Sequence, residues 1–263
     1  LYDGEFIESV VMKYKHGYTI CISTQVGCKM NCQFCATGNS GFSRNLTASE
    51  MLAQIQTAQI DNHIKISNVV LMGMGEPLDN YDNVIQFLKL VSSEDNLNIG
   101  MRHISLSTCG IINKIYDLAN ENLQLTLSVS LHAPNDSIRN TLMPINKNFN
   151  VDELLKACKF YIIKTKRRIS FEYAMISDIN DSDDCAIELA RKLSGMLCHV
   201  NLIPVNNIGV EKIFYEKSNQ KRLEKFMNIL SKYGINATVR RTLGADINAS
   251  CGQLRRKATD LEV

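Results

Sequence analysis

Residues 28–35 read Cys28-Lys-Met-Asn-Cys32-Gln-Phe-Cys35, and this stretch decides how the rest of the chain is interpreted. Thiolates at Cys-x3-Cys-x2-Cys spacing can all turn inward on one loop and hold a soft metal centre. A ferredoxin-type cluster would need a fourth nearby cysteine, and a structural zinc site would usually need a second ligand pair. Because the next cysteine is Cys109, the spacing favours a four-iron cluster whose open iron is left for a substrate, with Phe34 shielding it. Zinc, or three unrelated buried thiols, is the alternative.

Length and composition limit the classes of protein to which the chain can belong. The 263 residues suffice for one large α/β domain or two small ones, and a hydrophobic content of 45% supports a real core. Nine cysteines without a signal peptide point to ligation and catalysis rather than a disulfide framework. No apolar run approaches the roughly 18 residues of a membrane span, so we expect a cytoplasmic protein with no membrane partner. The net charge of +2 is too small to indicate nucleic-acid binding by itself.

Apolar residues alternate in strand and helix patterns along most of the chain. Residues 5–25 read as two strands joined at Lys15-His16-Gly17, and capping boxes are predicted at Thr47-x-x-Glu50 and Asn150-x-x-Glu153. The pattern then predicts strands at 69–72, 104–107, 125–131, 169–176, 200–205 and 235–239, and helices at 48–61, 81–91, 111–120, 151–163, 186–197 and 220–232.

This alternation implies a parallel sheet with helices outside it. About six strand–helix units precede the last strand, too few for an eight-fold barrel. We therefore predict an α/β fold, a partial (βα)6 barrel with an N-terminal β extension. No Pro- or Gly-rich linker divides the chain, so we expect one domain over 1–263, with the hairpin extension at 1–25 and the barrel with a C-terminal catalytic loop at 26–263.

Polar residues gather where the predicted strands end, which is where parallel α/β barrels bind ligands. The Gly73-x-Gly75 pair does not open a dinucleotide fingerprint, because Leu78 replaces the third glycine. Instead, glycine would let a ligand approach the backbone, and Glu76 would offer its carboxylate to an ammonium group, unless it is a surface acid. His132 is either a cofactor contact or a structural histidine.

Lone cysteines are usually small buried hydrophobes, which is our expectation for Cys109, Cys158, Cys185 and Cys198. Arg139 and Asn146 read as turn or capping residues and receive no role.

Several segments together resemble one family, the radical S-adenosylmethionine (SAM) RNA adenine methyltransferases RlmN and Cfr. They are 25–38, 44–47, 72–78, 130–135, 143–146, 201–204 and 249–254, and the match runs nearly from Leu1 to Lys257. The resemblance implies a partial βα barrel and a [4Fe-4S] cluster on Cys28, Cys32 and Cys35. It also implies SAM contacts at Gly75, Glu76, Ser107, Ser130, Leu131, His132 and Asn206.

The resemblance also implies a chemistry that uses two SAM molecules per turnover. The first methylates Cys251, and a radical derived from the second removes a hydrogen atom from that methyl group. The resulting methylene radical adds to the adenine ring, and Glu8 is the implied acceptor of the ring proton. A Cys21 thiolate then attacks the Cys251 sulfur, which releases the product and leaves a transient Cys21–Cys251 disulfide. An external electron donor must reduce the cluster and the disulfide.

The two branches of the family differ in the carbon that they methylate. RlmN acts on adenine C2 in 23S ribosomal RNA and, in some bacteria, in transfer RNA, whereas Cfr acts on C8 and gives antibiotic resistance. Pro77 and the Arg240-Arg241 pair favour the RlmN branch. We expect a monomer, and we expect the small N-terminal helical domain of the family, which helps bind RNA, to be absent from this chain.

Two other functional interpretations remain open. The first is an iron–sulfur sensor or an RNA-binding relic, which would need neither Cys21 nor Cys251. The second is a radical-SAM activating enzyme, which would have no use for a methyl-accepting Cys251.

Overall fold

The computed structural model describes residues 1–15, 17–206, 215–240 and 252–254. Its strands are β1 Val10–Tyr14, β2 Gly17–Cys21, β3 Gln25–Gly27, β4 Phe42–Asn45, β5 Ile66–Leu71, β6 Ile104–Thr108, β7 Thr126–Ser130, β8 Ile169–Met175, β9 Cys198–Pro204 and β10 Ala237–Val239. Its α-helices are α1 Ala36–Asn39, α2 Ala48–Asn62, α3 Tyr81–Ser92, α4 Ile112–Asn120, α5 Asp136–Leu142, α6 Val151–Thr165, α7 Asp183–Leu193 and α8 Gln220–Lys232.

The main sheet of the described residues has the order β1-β2-β5-β6-β7-β8-β9-β10. Every neighbouring pair from β2 to β10 is parallel, and only β1 runs antiparallel to β2. The sheet is curled into an open half-barrel, because helical crossovers carry the chain back between parallel strands and strand twist curves the sheet. The predicted partial barrel is confirmed.

The N-terminal hairpin forms, but its first strand is shorter than predicted. β1 begins at Val10, which pairs with Cys21. The residues before it bond to side chains instead of to a neighbouring strand: the Glu8 carbonyl accepts from Ser23 Oγ (2.7 Å), and Ser9 Oγ donates to Gln54 (2.8 Å). His16, in the predicted turn, lies outside the described residues.

Helix boundaries follow the capping residues. At Thr47, the side chain accepts from the Glu50 N–H while the Glu50 carboxylate accepts from the Thr47 N–H, so the predicted capping box is present. Asn150 caps α6 by accepting from the Glu153 N–H (2.9 Å).

The prediction of a helix at 186–197 was wrong at both ends. α7 begins at Asp183 because Ser182 accepts from the Cys185 N–H, and it ends before Gly195, whose backbone is left-handed.

The loop that contains the three cysteines lies between β3 and α1, and β3 pairs antiparallel with β4 beside it. Beneath the loop lies a small apolar cluster, separate from the main core, which Met30, Cys32 and Phe34 contact. Its buried members are Cys109, Leu142, Met143, Ala174, Ile176 and Val205. The four cysteines expected to be small buried hydrophobes are all buried. Within the described ranges, we find no helix whose length and hydropathy would let it cross a membrane.

Candidate active site

A cavity of about 180 Å³ opens at the carboxyl ends of the parallel strands. One wall is the cysteine loop, and the facing wall comes from the ends of β5 to β9. Most of the residues predicted for the site line this cavity: Cys28, Cys32, Cys35, Gly75, Glu76, Ser107, Ser130, His132 and Asn206. The carboxyl ends of parallel strands meet at one edge of a sheet, so residues separated by up to 178 positions come together there.

The three loop thiols form a donor set suited to a soft metal centre. Cys28, Cys32 and Cys35 are half-buried on one cavity wall. Burial raises the pKa of the Cys28 thiol to about 12 and that of Cys32 well above its ordinary value. Metal binding to Cys28 and Cys32 would therefore displace the protons that burial favours on these two thiols. Among the described residues, no three His, Cys, Asp or Glu side chains converge to hold a metal ion. A four-iron cluster is larger than a single ion, so its three thiolate ligands need not converge to the spacing of a single-ion site.

Glu76 is a buried acid that ties two strand ends together. Its side chain is only 4% exposed, which rules out the surface-acid reading. One carboxylate oxygen accepts from the Leu78 N–H (2.9 Å) and the other from the Cys109 N–H (2.7 Å). Burial nevertheless raises the pKa of this carboxyl. Since each carboxylate oxygen has a second lone pair, Glu76 retains capacity for a donor in the cavity.

The glycines before Glu76 are required by the protein's own backbone. Gly75 has φ +101°, and a Cβ there would lie 2.6 Å from Gln25 Cβ. A Cβ on Gly73 would lie 2.6 Å from the Ile22 carbonyl oxygen. We expected these glycines to admit a ligand, but close contact of this loop with the β2–β3 segment is sufficient to require them.

His132 combines a strained backbone with a fixed tautomer. Its φ is +56° and its side chain is 5% exposed. The Ala174 N–H donates to Nδ1 (2.8 Å), so the proton of the neutral ring resides on Nε2. Burial and the Arg139 charge lower the pKa to about 3. The ring meets the Phe34 ring edge-to-face at 4.7 Å, so His132 supports the cysteine loop as well as lining the cavity.

One acidic cavity residue was missed by sequence reasoning. Glu172, in the middle of the apolar strand β8, is 3% exposed and accepts from Asn201 Nδ2 (2.9 Å). It also pairs with Arg240 (3.3 Å), and both side chains line the cavity. An acid inside a strand that is buried on both faces is the signal that would have found Glu172.

Arg139 was read as a turn or capping residue, and that reading is wrong. It lies in α5, is fully buried, and donates to backbone carbonyls at the ends of β6 and β7. Asn146 accepts from Arg139 Nη1 (2.9 Å) and is itself buried. The reading failed because a seven-residue helix gives too short a periodic pattern to reveal which face is buried.

Comparison with known proteins agrees with this arrangement. The model of the radical SAM superfamily matches residues 22–190. The chain is 60% identical over 255 residues to a probable dual-specificity RNA methyltransferase RlmN of Clostridium tetani, covering 97% of this chain and 72% of the relative. It is 58% identical to the corresponding Clostridium novyi protein, covering 97% and 74%. The chain belongs to the RlmN family of the radical SAM superfamily.

The same family relationship appears in three dimensions. A radical SAM methyltransferase from Sphaerobacter thermophilus superimposes with a TM-score of 0.92 at 46% identity, covering 97% of this chain and 75% of that one. Membership in the RlmN family implies a [4Fe-4S] cluster and SAM as cofactors. The three soft thiols on one cavity wall fit such a cluster.

Three residues predicted for the RlmN-type site do not line the cavity. The Leu131 side chain packs in the main core. Cys21 is buried at the end of β2, opposite Val10. Glu8 lies two residues before Val10, and Ser23 links its carbonyl to the cavity loop, because Ser23 Oγ also accepts from the Met74 N–H (2.9 Å).

Cys251, the predicted methyl carrier of the RlmN family, lies outside the described residues, as does Arg241. The next residue, Gly252, lines the cavity, and its carbonyl accepts from the Ala36 N–H (2.7 Å). Thr37 Oγ1 donates to the Leu254 carbonyl (2.7 Å). Residues 252–254 are therefore attached to helix α1, directly after the cysteine loop.

Proposed function

We propose that this chain is a radical SAM methyltransferase that methylates C2 of an adenine in 23S ribosomal RNA, with transfer RNA as a second candidate substrate. The observation that carries the proposal is the position of Gly252. This residue follows Cys251 in sequence and lies on the wall of the same cavity as the three loop thiols. The relatives are named dual-specificity RNA methyltransferases, which supports RNA as the substrate class.

The cavity residues would hold the cofactors in a defined arrangement. Cys28, Cys32 and Cys35 would ligate the cluster. Glu76 would accept a hydrogen bond from the SAM ammonium, and the short polar side chains at strand ends would bond its ribose and carboxylate. The proposed SAM contacts that line the cavity are Gly75, Glu76, Ser107, Ser130, His132 and Asn206. Leu131, whose side chain packs in the main core, would contribute only backbone atoms. When bound, the cluster and SAM supply a radical that can take a hydrogen atom from an unactivated methyl group.

Three further residues would carry the methyl transfer. The Cys251 sulfur would accept a methyl group by displacement, and this methyl would later lose a hydrogen atom and bond to adenine C2. Glu8 would accept the C2 proton. The Cys21 thiolate would attack the Cys251 sulfur, forming an S–S bond as the C–S bond to the product breaks. The released carbon would take up a proton to become the methyl group, and the unpaired electron left by radical addition would pass to a one-electron acceptor. This sequence consumes two SAM molecules per turnover and requires an external reductant for the disulfide.

The segment 1–25 and the barrel at 26–263 would act as one unit in this reaction. Ser23 links the backbone of Glu8 to the cavity loop, and Gln54 accepts from both the Ser9 hydroxyl and the Ser23 N–H. These bonds attach the N-terminal extension, with Glu8 and Cys21, to the edge of the site. An adenine target would have to be unstacked from its helix to enter the cavity.

The test is to map the Cys251 peptide by mass spectrometry after anaerobic reconstitution and incubation with SAM, with Cys251→Ala as control. We expect a methyl group on Cys251 that the control peptide lacks. An unmodified Cys251 in protein that cleaves SAM would overturn the proposal. Nucleoside analysis of a reacted ribosomal RNA fragment then separates 2-methyladenosine from 8-methyladenosine, and the latter would replace the C2 assignment with the Cfr-type reaction.

A further inference from the structure

Arg139 is the largest side chain that the described core buries completely, with 0% exposure. Arginine is almost never fully buried unless it is paired, because removing its charge from water is expensive. The residue lies on α5, under the cysteine loop, and the end of α5 bonds to that loop directly: the Gln33 N–H donates to the Leu142 carbonyl (3.0 Å).

All of the hydrogen-bond acceptors of Arg139 are neutral. Nε donates to the Leu131 carbonyl (3.1 Å), and Nη1 donates to Asn146 Oδ1 (2.9 Å). Nη2 donates to the carbonyls of Cys109 (2.7 Å) and Ser130 (3.0 Å). The ion pairs formed within the described ranges do not include Arg139. The donors are therefore satisfied, while the positive charge has no direct carboxylate partner in that part of the chain.

Among the described residues, Asp136 is an acid that is linked to Arg139 through the side chain of one intervening residue, Asn146. Asp136 accepts from Asn146 Nδ2 (2.9 Å) and from the Val151 N–H (2.8 Å), and its side chain is half-exposed. Asp136 therefore shares the Asn146 amide with Arg139 as a hydrogen-bond partner but does not bond to the guanidinium directly, and solvent partly screens its charge. On the other side, the Cys109 backbone separates Arg139 from Glu76.

Two cysteines connect Arg139 with the surroundings of the cysteine loop. Arg139 Nη2 donates to the Cys109 carbonyl (2.7 Å), and Cys109 is a buried member of the small apolar cluster that Cys32 contacts. In this apolar surrounding a low dielectric would strengthen the attraction between a buried cation and negative charge on the loop.

We propose that Arg139 is the buried counter-charge of the iron–sulfur cluster, in addition to fixing the carboxyl ends of β6 and β7. Three thiolates give the ligated cluster a net negative charge, and reduction adds a further electron. A fixed cation in a dry surrounding favours the more negative, reduced form. Arg139 would thus raise the midpoint potential of the cluster and make it easier to reduce.

The test is an anaerobic redox titration of the reconstituted full chain, followed by the electron paramagnetic resonance signal of the reduced cluster. We expect Arg139→Gln to shift the midpoint potential to a more negative value. Arg139→Lys keeps the charge with fewer donors, and we expect it to stay close to the unaltered chain. Arg167→Gln is the matched control, because Arg167 donates to the Leu125 carbonyl, before the start of β7, at the opposite end of the sheet.

A second variant covers the case in which Arg139→Gln fails to fold or to take up iron. The double exchange Asp136→Asn with Asn146→Asp preserves composition and net charge but moves a carboxylate into direct contact with Arg139. We expect the same negative shift. A potential unchanged in this double variant or in Arg139→Gln would overturn the proposal, as would equal shifts in Arg139→Lys and Arg139→Gln, which would indicate a merely structural role. The inference rests on the cluster ligation proposed above. The measurements need no RNA and no methyl transfer, so failure of the methyl-transfer proposal would be distinguishable from failure of this one.

Discussion

The carboxylate of Glu76 accepts a hydrogen bond from the backbone N–H of Cys109 over 2.7 Å, and so joins the loop after β5 to the end of β6. The other oxygen of the same carboxylate accepts from the Leu78 N–H. A residue expected to bind a ligand therefore also holds its own cavity wall together. Stability and cofactor binding should respond together to changes at this position.

Glu76→Ala should destabilise the cluster-free chain by about 2–6 kcal/mol, because two buried N–H groups would lose their acceptor. Glu76→Gln should cost less, since an amide oxygen can still accept from one of them. Urea unfolding measures both, with the exposed Glu94→Ala as control, for which we expect a change within about 0.5 kcal/mol. Equal stability of Glu76→Ala and the control would contradict the bonding described here.

Gly75→Ala should destabilise the chain more than Gly195→Ala. Both glycines have positive φ, so both substitutions carry a backbone cost of about 1–2 kcal/mol. A Cβ at Gly195 meets nothing within 4 Å, whereas at Gly75 it meets Gln25. Thermal unfolding of the two variants isolates the steric contribution as their difference, and a difference of zero would show that Gln25 moves aside freely.

Thr37→Val should loosen the attachment of residues 252–254. It removes the hydroxyl that donates to the Leu254 carbonyl and leaves that buried acceptor unsatisfied, at a cost of about 1–3 kcal/mol. We expect a lower fraction of methylated Cys251 in the mass-spectrometric assay, with an unchanged iron content. Thr141→Val is the control, because the Thr141 hydroxyl bonds only within its own exposed turn. Full methylation in Thr37→Val would mean that this bond does not support the reaction.

The free energy of unfolding should fall when the pH is lowered, because the folded chain resists protonation of His132. In the folded chain its pKa is lowered to about 3, against 6.5 as the ordinary value. Below pH 6.5 the unfolded chain binds a proton that the folded chain does not, so stability present above pH 6.5 is lost as the pH falls toward 3. In this range the free energy of unfolding changes by about 1.4 kcal/mol per pH unit.

His132→Asn removes this loss, since asparagine tolerates the left-handed backbone and its carbonyl can accept from the Ala174 N–H. The measurement is urea unfolding of the cluster-free chain at several pH values between 5 and 7. His63→Asn is the matched control, because His63 is exposed and also left-handed. Identical pH dependence of the unaltered chain and His132→Asn would refute the assignment.

Most of the fold could be predicted from local patterns. The helix over 220–232 and the capping box at Thr47 agree residue by residue with the structure, because caps and apolar periodicity depend on residues a few positions apart. The small sheet of β3 and β4 escaped prediction, since strands of three and four residues are too short to show alternation.

The site could be predicted in part for the same reason. Ser107, Ser130 and Asn206 lie at or just after the ends of predicted strands, and parallel topology brings such residues to one cavity. Glu172 and Arg139 were not found, because each lies within an element rather than at its end. Their environment is built by residues up to 68 positions away, as in the pair of Glu172 with Arg240.

The sequence by itself determined that three thiols lie within eight residues of one loop, that Thr47 caps a helix, and that strands and helices alternate as a parallel sheet requires. Each of these depends on covalent spacing or on near neighbours. Only the tertiary structure decided that a carboxylate joins two strand ends, that residues 252–254 attach to the helix after the cysteine loop, and that an arginine is buried among neutral carbonyls beside the thiols. Burial and electrostatic environment arise from packing between distant segments, so no local pattern encodes them.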